Sequence, residues 1–259
     1  MKSLLITFIV LFISNLTLAN VAVLNGLTHK HTASYGQIVE GEIILLNTSK
    51  NSQRVLFSLS DAFLSCDNET YFSNENTHPR SSKEWFKSEV AEKELAPNEK
   101  YVFKYSIEIP MDTSLNGSYW NLVMIEVEKP IKQQILQKKV GINSKIRYAV
   151  QLLTDINQDT DMAIDFTDIS LNESNAKTLQ IKLKNNSEFI ETTNIFLEVY
   201  NDKGEKIEVI NSQLTNVFPG FCKTVLLNLS SLKSGDYKCI VLAKSNQQYI
   251  GANLNLNVN

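Results

Sequence analysis

The sequence predicts an all-β protein built from two tandem antiparallel β-sandwiches. Almost every segment after residue 20 either alternates apolar with polar residues or is a short apolar run between turn residues, which is the pattern of β-strands. About seven such segments follow one another at close spacing in each half of the chain. Two immunoglobulin-like sandwiches are therefore the expected architecture.

The first 19 residues have the three parts of a secretory signal peptide. Lys2 supplies a positive charge, residues 4–13 are an almost unbroken apolar run, and Thr17 and Ala19 are small residues before a cleavage point. The run is well short of the ~20 apolar residues that cross a bilayer, so we expect cleavage after Ala19 rather than a membrane anchor. No later segment approaches membrane length, and the mature chain is expected to be exported without a membrane span.

In the first half, strand patterns occur at residues 37–46, 53–59, 101–109, 119–127 and 145–154. The run at 119–127 is nearly all apolar, as expected of a central strand. Residues 90–95 are expected to form a short helical turn at most. The polar stretch 157–161 is the best linker, so we place one domain at residues 20–156 and the other at residues 157–259.

In the second half, strand patterns occur at residues 178–183, 195–200, 206–210, 223–229, 236–243 and 249–258. The sequence Asn-Asp-Lys-Gly at residues 201–204 predicts a hairpin turn between two of them.

The three cysteines are Cys66, Cys222 and Cys239. Export permits a disulfide. Cys222 and Cys239 lie in neighbouring predicted strands, so a possible disulfide joins these two and leaves Cys66 over. The alternative is that Cys222 and Cys239 are simply small buried apolar side chains.

Residues 61–88 stand out as a long connection with little regular pattern, and such loops are often functional. Within it lie His78, Arg80 and Trp85, and arginine and tryptophan dominate binding hot spots. We therefore expect this loop to be an interaction surface and these three residues to bind a partner. The alternative is that Trp85 pins the loop to the sandwich while Arg80 caps backbone carbonyls.

His29 and His31 are separated by one residue, so in a strand both imidazoles face the same side, a geometry that can hold zinc or copper. The sequence pairs no acidic residue with them. We predict no metal and no other cofactor, and keep both histidines as candidate binding residues; solvated side chains on an edge strand are the alternative.

The sequence contains no GxSxG, HExxH, P-loop or GxGxxG motif, and its three histidines offer few candidates for a catalytic triad. We expect the protein not to be an enzyme. The formal net charge is −3 and no basic stripe is present, so nucleic acid is not an expected partner.

A series of short segments resembles a known kind of envelope domain. In order they are residues 26–31 (GLTHKH), 36–43, 45–48 (LLNT), 78–85 (HPRSSKEW), 95–99 (LAPNE), 109–110 and 116–126. Over residues 24–128 the series resembles the peptidoglycan-binding domain of WxL-interacting proteins and, more distantly, the N-terminal domain of periplasmic pilus chaperones. The resemblance implies recognition of cell-wall glycan or of an envelope protein. The sequence shows no C-terminal membrane helix and basic tail, which the Gram-positive proteins carry, so we expect a periplasmic or surface location.

The second half resembles bacterial immunoglobulin-like or fibronectin-like modules through residues 217–220 and 235–237. In such modules Tyr237 would form a tyrosine corner, with its hydroxyl bonded to upstream backbone.

Two functions remain from the sequence. The first is a non-catalytic envelope-binding protein that recognises glycan or another envelope protein. The alternative is a periplasmic chaperone-like protein that acts by β-strand addition at a sheet edge. Pilus chaperones need a basic pair between their domains. Lys145 and Arg147 lie near the expected boundary, but no feature of the sequence marks them as such a pair.

Overall fold

The computed structural model describes residues 20–64, 70–128, 145–157, 163–172, 175–245 and 248–258, without the side chains of residues 175 and 176. These residues form eighteen β-strands, and the helical structure among them is limited to a 3-10 turn at Lys83–Trp85. The predicted all-β class is confirmed. The predicted signal peptide lies outside the described residues. None of the described residues belongs to a helix long and apolar enough to cross a membrane.

The first ten strands are β1 Val21–Val23, β2 Thr28–Ala33, β3 Ile38–Asn47, β4 Gln53–Phe63, β5 Tyr71–Ser73, β6 Phe86–Lys87, β7 Glu92–Leu95, β8 Lys100–Glu108, β9 Gly117–Glu128 and β10 Ile146–Ile156. They form two sheets. The first has the order β1-β3-β8-β6, and the second has the order β2-β10-β9-β4-β5 with β7 also paired to β4. Neighbouring strands are antiparallel, except that β2 runs parallel to β10. Between the sheets lies a core that includes Phe103, Ile125 and Leu152.

The remaining strands are β11 Ile164–Asn172, β12 Asn175–Asn185, β13 Glu191–Tyr200, β14 Lys206–Asn211, β15 Thr215–Val217, β16 Cys222–Asn228, β17 Gly235–Ser245 and β18 Gln248–Val258. They form a third sheet, β11-β12-β16, and a fourth, β14-β13-β17-β18, with β15 also paired to β13. A separate core that includes Ile181, Leu197 and Val241 fills this half. Each half therefore buries its own apolar side chains; the domain boundary at residue 156 stays a prediction, and residues 158–162 lie outside the described residues.

Local sequence patterns explain two details of the second half. In the turn at residues 201–204, the Gly204 N–H donates to the Asn201 carbonyl at 2.9 Å, and Gly204 has a φ of 76°, which glycine adopts without strain. The predicted hairpin is confirmed. The Tyr237 hydroxyl donates to the Lys233 carbonyl at 3.0 Å, which is the upstream backbone contact expected of a tyrosine corner.

Two expectations about the first half are wrong. The helical turn expected at residues 90–95 is instead β7, which pairs with β4. The connection at residues 61–88 is not one irregular loop, because it contains the end of β4, all of β5, the 3-10 turn and β6. Residues 65–69 of this connection lie outside the described residues.

The expected Cys222–Cys239 disulfide is also wrong. Cys239 is a free thiol in the second core, where burial raises its pKa to about 11. Cys222 is in a disulfide, but Cys239 is not its partner. The physical reason is topological: β16, which carries Cys222, belongs to the third sheet, whereas β17, which carries Cys239, belongs to the fourth. β16 and β17 therefore do not pair with each other, although they are consecutive in the chain. Cys66 lies outside the described residues.

Candidate functional site

The candidate functional site is a stretch of β10 with one unpaired edge. β9 pairs with β10 along its whole length, whereas β2 pairs only with Gln151–Ile156. The Gln151 N–H donates to the Leu27 carbonyl at 2.8 Å, so the backbone groups of Gln151 point away from β9. Because successive residues of a strand alternate, the N–H and C=O groups of Arg147 and Ala149 point the same way. They face an edge that no other described strand occupies.

The side chains of this stretch hold it in place. Ile146, Tyr148 and Val150 face the core between the two sheets. The Tyr148 hydroxyl also donates to the carbonyl of Val21, which ties β10 to the opposite sheet. These contacts already hold this stretch of β10 in an extended conformation. Binding of an added strand therefore costs less conformational entropy.

Basic side chains at the start of β10 are already paired. The Lys145 ammonium lies 2.6 Å from a carboxylate oxygen of Glu126 and 2.6 Å from one of Glu128, and Arg147 also binds Glu126. The hydrogen bonds from Lys145 and Arg147 lower the pKa of Glu126 to about 2. These two bases lie at the opposite end of β10 from Ile156.

A hollow of mixed polar and apolar lining adjoins the β10 edge on the outer face of the second sheet, and its wall includes Ser58, Ser60, Asn74 and Arg147. Ala149 packs there beside Leu122 and Met124. The hollow has a volume of about 510 Å³, and its wall includes the half-exposed rings of Tyr71 and Phe72 on β5. A strand added to β10 would have space beside it for one of its side chains.

A buried tryptophan lies where the two halves of the molecule meet. Trp120 is 1% exposed; its ring centroid is 4.8 Å from that of Phe218 and 6.0 Å from that of Phe221, both from the second half. On the first-half side, the ring of His78 stacks on it at 4.4 Å, and Leu153 packs against it. The halves therefore share a small apolar contact.

His78 is part of this buried junction rather than an exposed loop. Its Nε2 lies 3.6 Å from Oδ1 of Asp61, a fully buried carboxylate that accepts a hydrogen bond from the Ser81 hydroxyl at 2.8 Å. Burial lowers the pKa of His78. The Asp61 carboxylate raises this pKa in part, and the Lys83 ammonium lowers it further. His78 is therefore neutral at pH 7, and it contacts other parts of the protein.

Arg80 spans the same junction. Its guanidinium donates to the carbonyl of Asn116 at 3.2 Å and to that of Ser118 at 3.4 Å, and it forms an ion pair with Glu188 of the second half. Gly117 lies beneath it, and a Cβ there would stand 2.2 Å from the Glu188 carbonyl oxygen, so only glycine fits. This placement matches the alternative in which Arg80 caps carbonyls.

Trp85 also contacts the protein itself. It ends the 3-10 turn, its ring lies 4.7 Å from that of Tyr119, and it packs against the first core. This placement matches the alternative interpretation, in which Trp85 packs the loop against the sandwich.

His29 and His31 face the same side of β2, as predicted, and both are half-buried. His29 Nδ1 and His31 Nε2 each lie 3.1 Å from the Tyr105 hydroxyl on β8. Burial lowers the pKa of His31, with His29 adding to the effect, and burial raises that of Tyr105. Gly41 leaves room for this tyrosine ring, from which a Cβ would stand 2.2 Å. The cluster connects the two sheets of the first sandwich.

Sequence reasoning missed the unpaired edge, although it identified the strand. The feature that could have indicated this edge is the difference in length between β2, with six residues, and β10, with eleven. The sequence alone does not say that these two strands are neighbours, so the difference carried no information before their pairing was known.

The solved structures that resemble this chain include pilus chaperones. The class 5 fimbriae chaperone CfaA matches with a TM-score of 0.50 and 14% identity, over 91% of this chain and 98% of that chain. A structure of the Salmonella enterica SafA pilin in complex with the SafB chaperone matches with a TM-score of 0.49 and 14% identity, over 92% of this chain and 98% of that chain. No protein-family profile and no curated protein matches the sequence. The likeness to CfaA shows a shared fold.

Proposed function

We propose that this is an exported, non-catalytic, chaperone-like protein that binds an extended segment of another exported protein as an added strand on β10. The observation that carries the proposal is the edge at Arg147 and Ala149 that no described strand occupies, whose N–H and C=O groups are available to pair with an added strand. The fold that it shares with a fimbrial chaperone is compatible with this function, and the predicted signal peptide with a periplasmic location.

The neighbouring hollow supports the same function. In β-strand addition the main chain supplies affinity and pockets for alternate side chains supply specificity. The hollow beside Ala149 combines the half-exposed rings of Tyr71 and Phe72 with polar groups, and it offers space for a side chain of the added strand. Recognition of cell-wall glycan has no comparable support, because Arg80 and Trp85 contact the protein's own residues.

Photocrosslinking tests the proposal. A photoreactive phenylalanine analogue at position 149 is expected to crosslink exported proteins in envelope extracts, because that side chain lies beside the unpaired edge. The same analogue at Ser170, on the edge strand β11 of the second half, serves as the control and is expected to capture none of them.

A proline substitution tests whether capture depends on a backbone N–H group of the β10 edge. Arg147→Pro removes one edge N–H that has no partner strand, so the fold should tolerate it as edge strands do. We expect this change to abolish crosslinking from position 149, while Arg147→Ala, which keeps the N–H, retains it. Equal crosslinking by both variants, or pelleting with isolated peptidoglycan that neither variant changes, would count against strand addition.

A further inference from the structure

A second edge that no described strand occupies lies on the opposite sheet of the first sandwich. β3 pairs with all of β8, but β6 has only two residues and pairs only with Ile107 and Ser106. The Asn47 N–H donates to the Glu99 carbonyl at 3.0 Å, so the backbone groups of odd-numbered residues point to β3. Those of Val102 and Lys104 therefore point to the side where β6 has ended, where the Lys104 carbonyl accepts a long hydrogen bond from the Ser88 hydroxyl at 3.4 Å.

This edge is open because the chain does not continue along β8 after β6. The chain crosses to the other sheet, where the Phe57 N–H donates to the Ala91 carbonyl at 2.9 Å. Between β8 and β4 this leaves a cleft of about 1150 Å³, larger than the roughly 300–1,000 Å³ of typical small-ligand pockets. Its apolar lining includes Phe57, Leu59, Phe86, Val90, Phe103 and Tyr105, and its charged lining consists of Glu40, Glu42, Glu89, Lys87 and Lys104.

The floor of the cleft is rigid and aromatic. The rings of Phe57 and Phe103 stack with centroids 4.1 Å apart, which joins the two walls at their base. Phe103 is 1% exposed, so this base belongs to the sandwich core. An unpaired backbone edge above such a floor suits an extended peptide, whose main chain pairs with β8 while every second side chain enters the cleft.

The charges on β8 select among possible strands. Lys100 and Lys104 are exposed on its outer face; the Lys104 ammonium lies 3.9 Å from a Glu42 carboxylate oxygen on β3, yet its side chain is 79% exposed. If a second copy of this chain paired antiparallel about Val102, Lys100 of each copy would lie opposite Lys104 of the other. Like charges directly opposite each other are destabilising, whereas acidic residues at those positions are favourable. The edge therefore favours a different polypeptide over self-association.

We infer that the cleft at the β8 edge is a second binding site, which accepts an extended peptide with apolar residues on one face and acidic residues on the other. This site is separate from the β10 edge, because β8 and β10 belong to different sheets of the sandwich.

A synthetic peptide tests the inference on the mature chain. The probe has about nine residues, enough to run along this edge, and alternates valine with threonine or glutamate. Binding is followed by fluorescence anisotropy, and the site is identified by backbone amide exchange. We expect slower exchange at Val102 and Lys104, and weaker binding of a matched peptide with lysine in place of glutamate.

Two substitutions separate this site from the β10 edge. Val102→Pro removes an edge N–H and is expected to weaken binding about tenfold, while Val102→Thr, which keeps it, does not. Lys104→Pro is a second disruptive variant if Val102→Pro lowers the melting temperature. Arg147→Pro, which disrupts the β10 edge, should leave binding unchanged. Protection only at Arg147 and Ala149, equal binding by the proline and threonine variants, or preference for the lysine peptide would overturn the inference.

Discussion

Arg80→Ala distinguishes a guanidinium that holds the molecule together from one that is available to a ligand. In the structure the guanidinium donates to the carbonyls of Asn116 and Ser118, lies 5.5 Å from the ring centroid of Tyr119, and pairs with Glu188. Charge-assisted hydrogen bonds contribute about 1.5–3 kcal/mol and an exposed cation–π contact about 0.5–1 kcal/mol. The ion pair adds little, because Glu188 is mostly exposed.

Since these contributions share one side chain and are not additive, we expect Arg80→Ala to lower the free energy of unfolding by about 2–3 kcal/mol. For a chain of this size that is a fall in melting temperature of roughly 4–12 °C. Urea denaturation with calorimetry measures both. Glu188→Gln is the matched control, because it removes only the ion pair and should cost less than about 1 kcal/mol. An unchanged urea midpoint for Arg80→Ala would refute the structural role and return this residue to the binding candidates.

Three further predictions concern buried groups. Trp120→Ala removes the aromatic contact at the junction and should destabilise the protein by about 3–5 kcal/mol in urea denaturation; a loss below about 1 kcal/mol would contradict the packing. Cys239 should resist alkylation in the folded protein and react after unfolding, and mass spectrometry should find no Cys222–Cys239 peptide. Burial lowers the pKa of His31 and His78 below 6.5, so the unfolded state binds more protons and stability should fall as the pH drops below about 6.5. Replacing either histidine with glutamine should flatten that decline, and an unchanged slope in both variants would contradict it.

Local patterns in the sequence predict most of the strands because they act over neighbouring residues. Residues 195–200 alternate apolar with polar side chains, and the structure buries Ile195, Leu197 and Val199 there. The alternation also placed His29 and His31 on one face. It could not reveal that both bond to Tyr105, more than seventy residues away along the chain.

Sheet pairing explains what the sequence did not predict. The unpaired edge of β10 exists because a short strand from the start of the chain, β2, pairs with only its second half. The disulfide prediction failed for a related reason, since the strands of Cys222 and Cys239 are consecutive but belong to different sheets. Contacts of this kind depend on the whole topology, and no local pattern encodes them.

Backbone amide exchange at β10 tests the central claim most directly. The mature protein is isolated with the envelope protein that it captures, and exchange at Arg147 and Ala149 is compared with that of the free protein. Strand addition predicts that these two amides become protected in the complex and that Arg147→Pro prevents capture without lowering the melting temperature. Unchanged exchange at both amides in a complex that still forms would contradict the account.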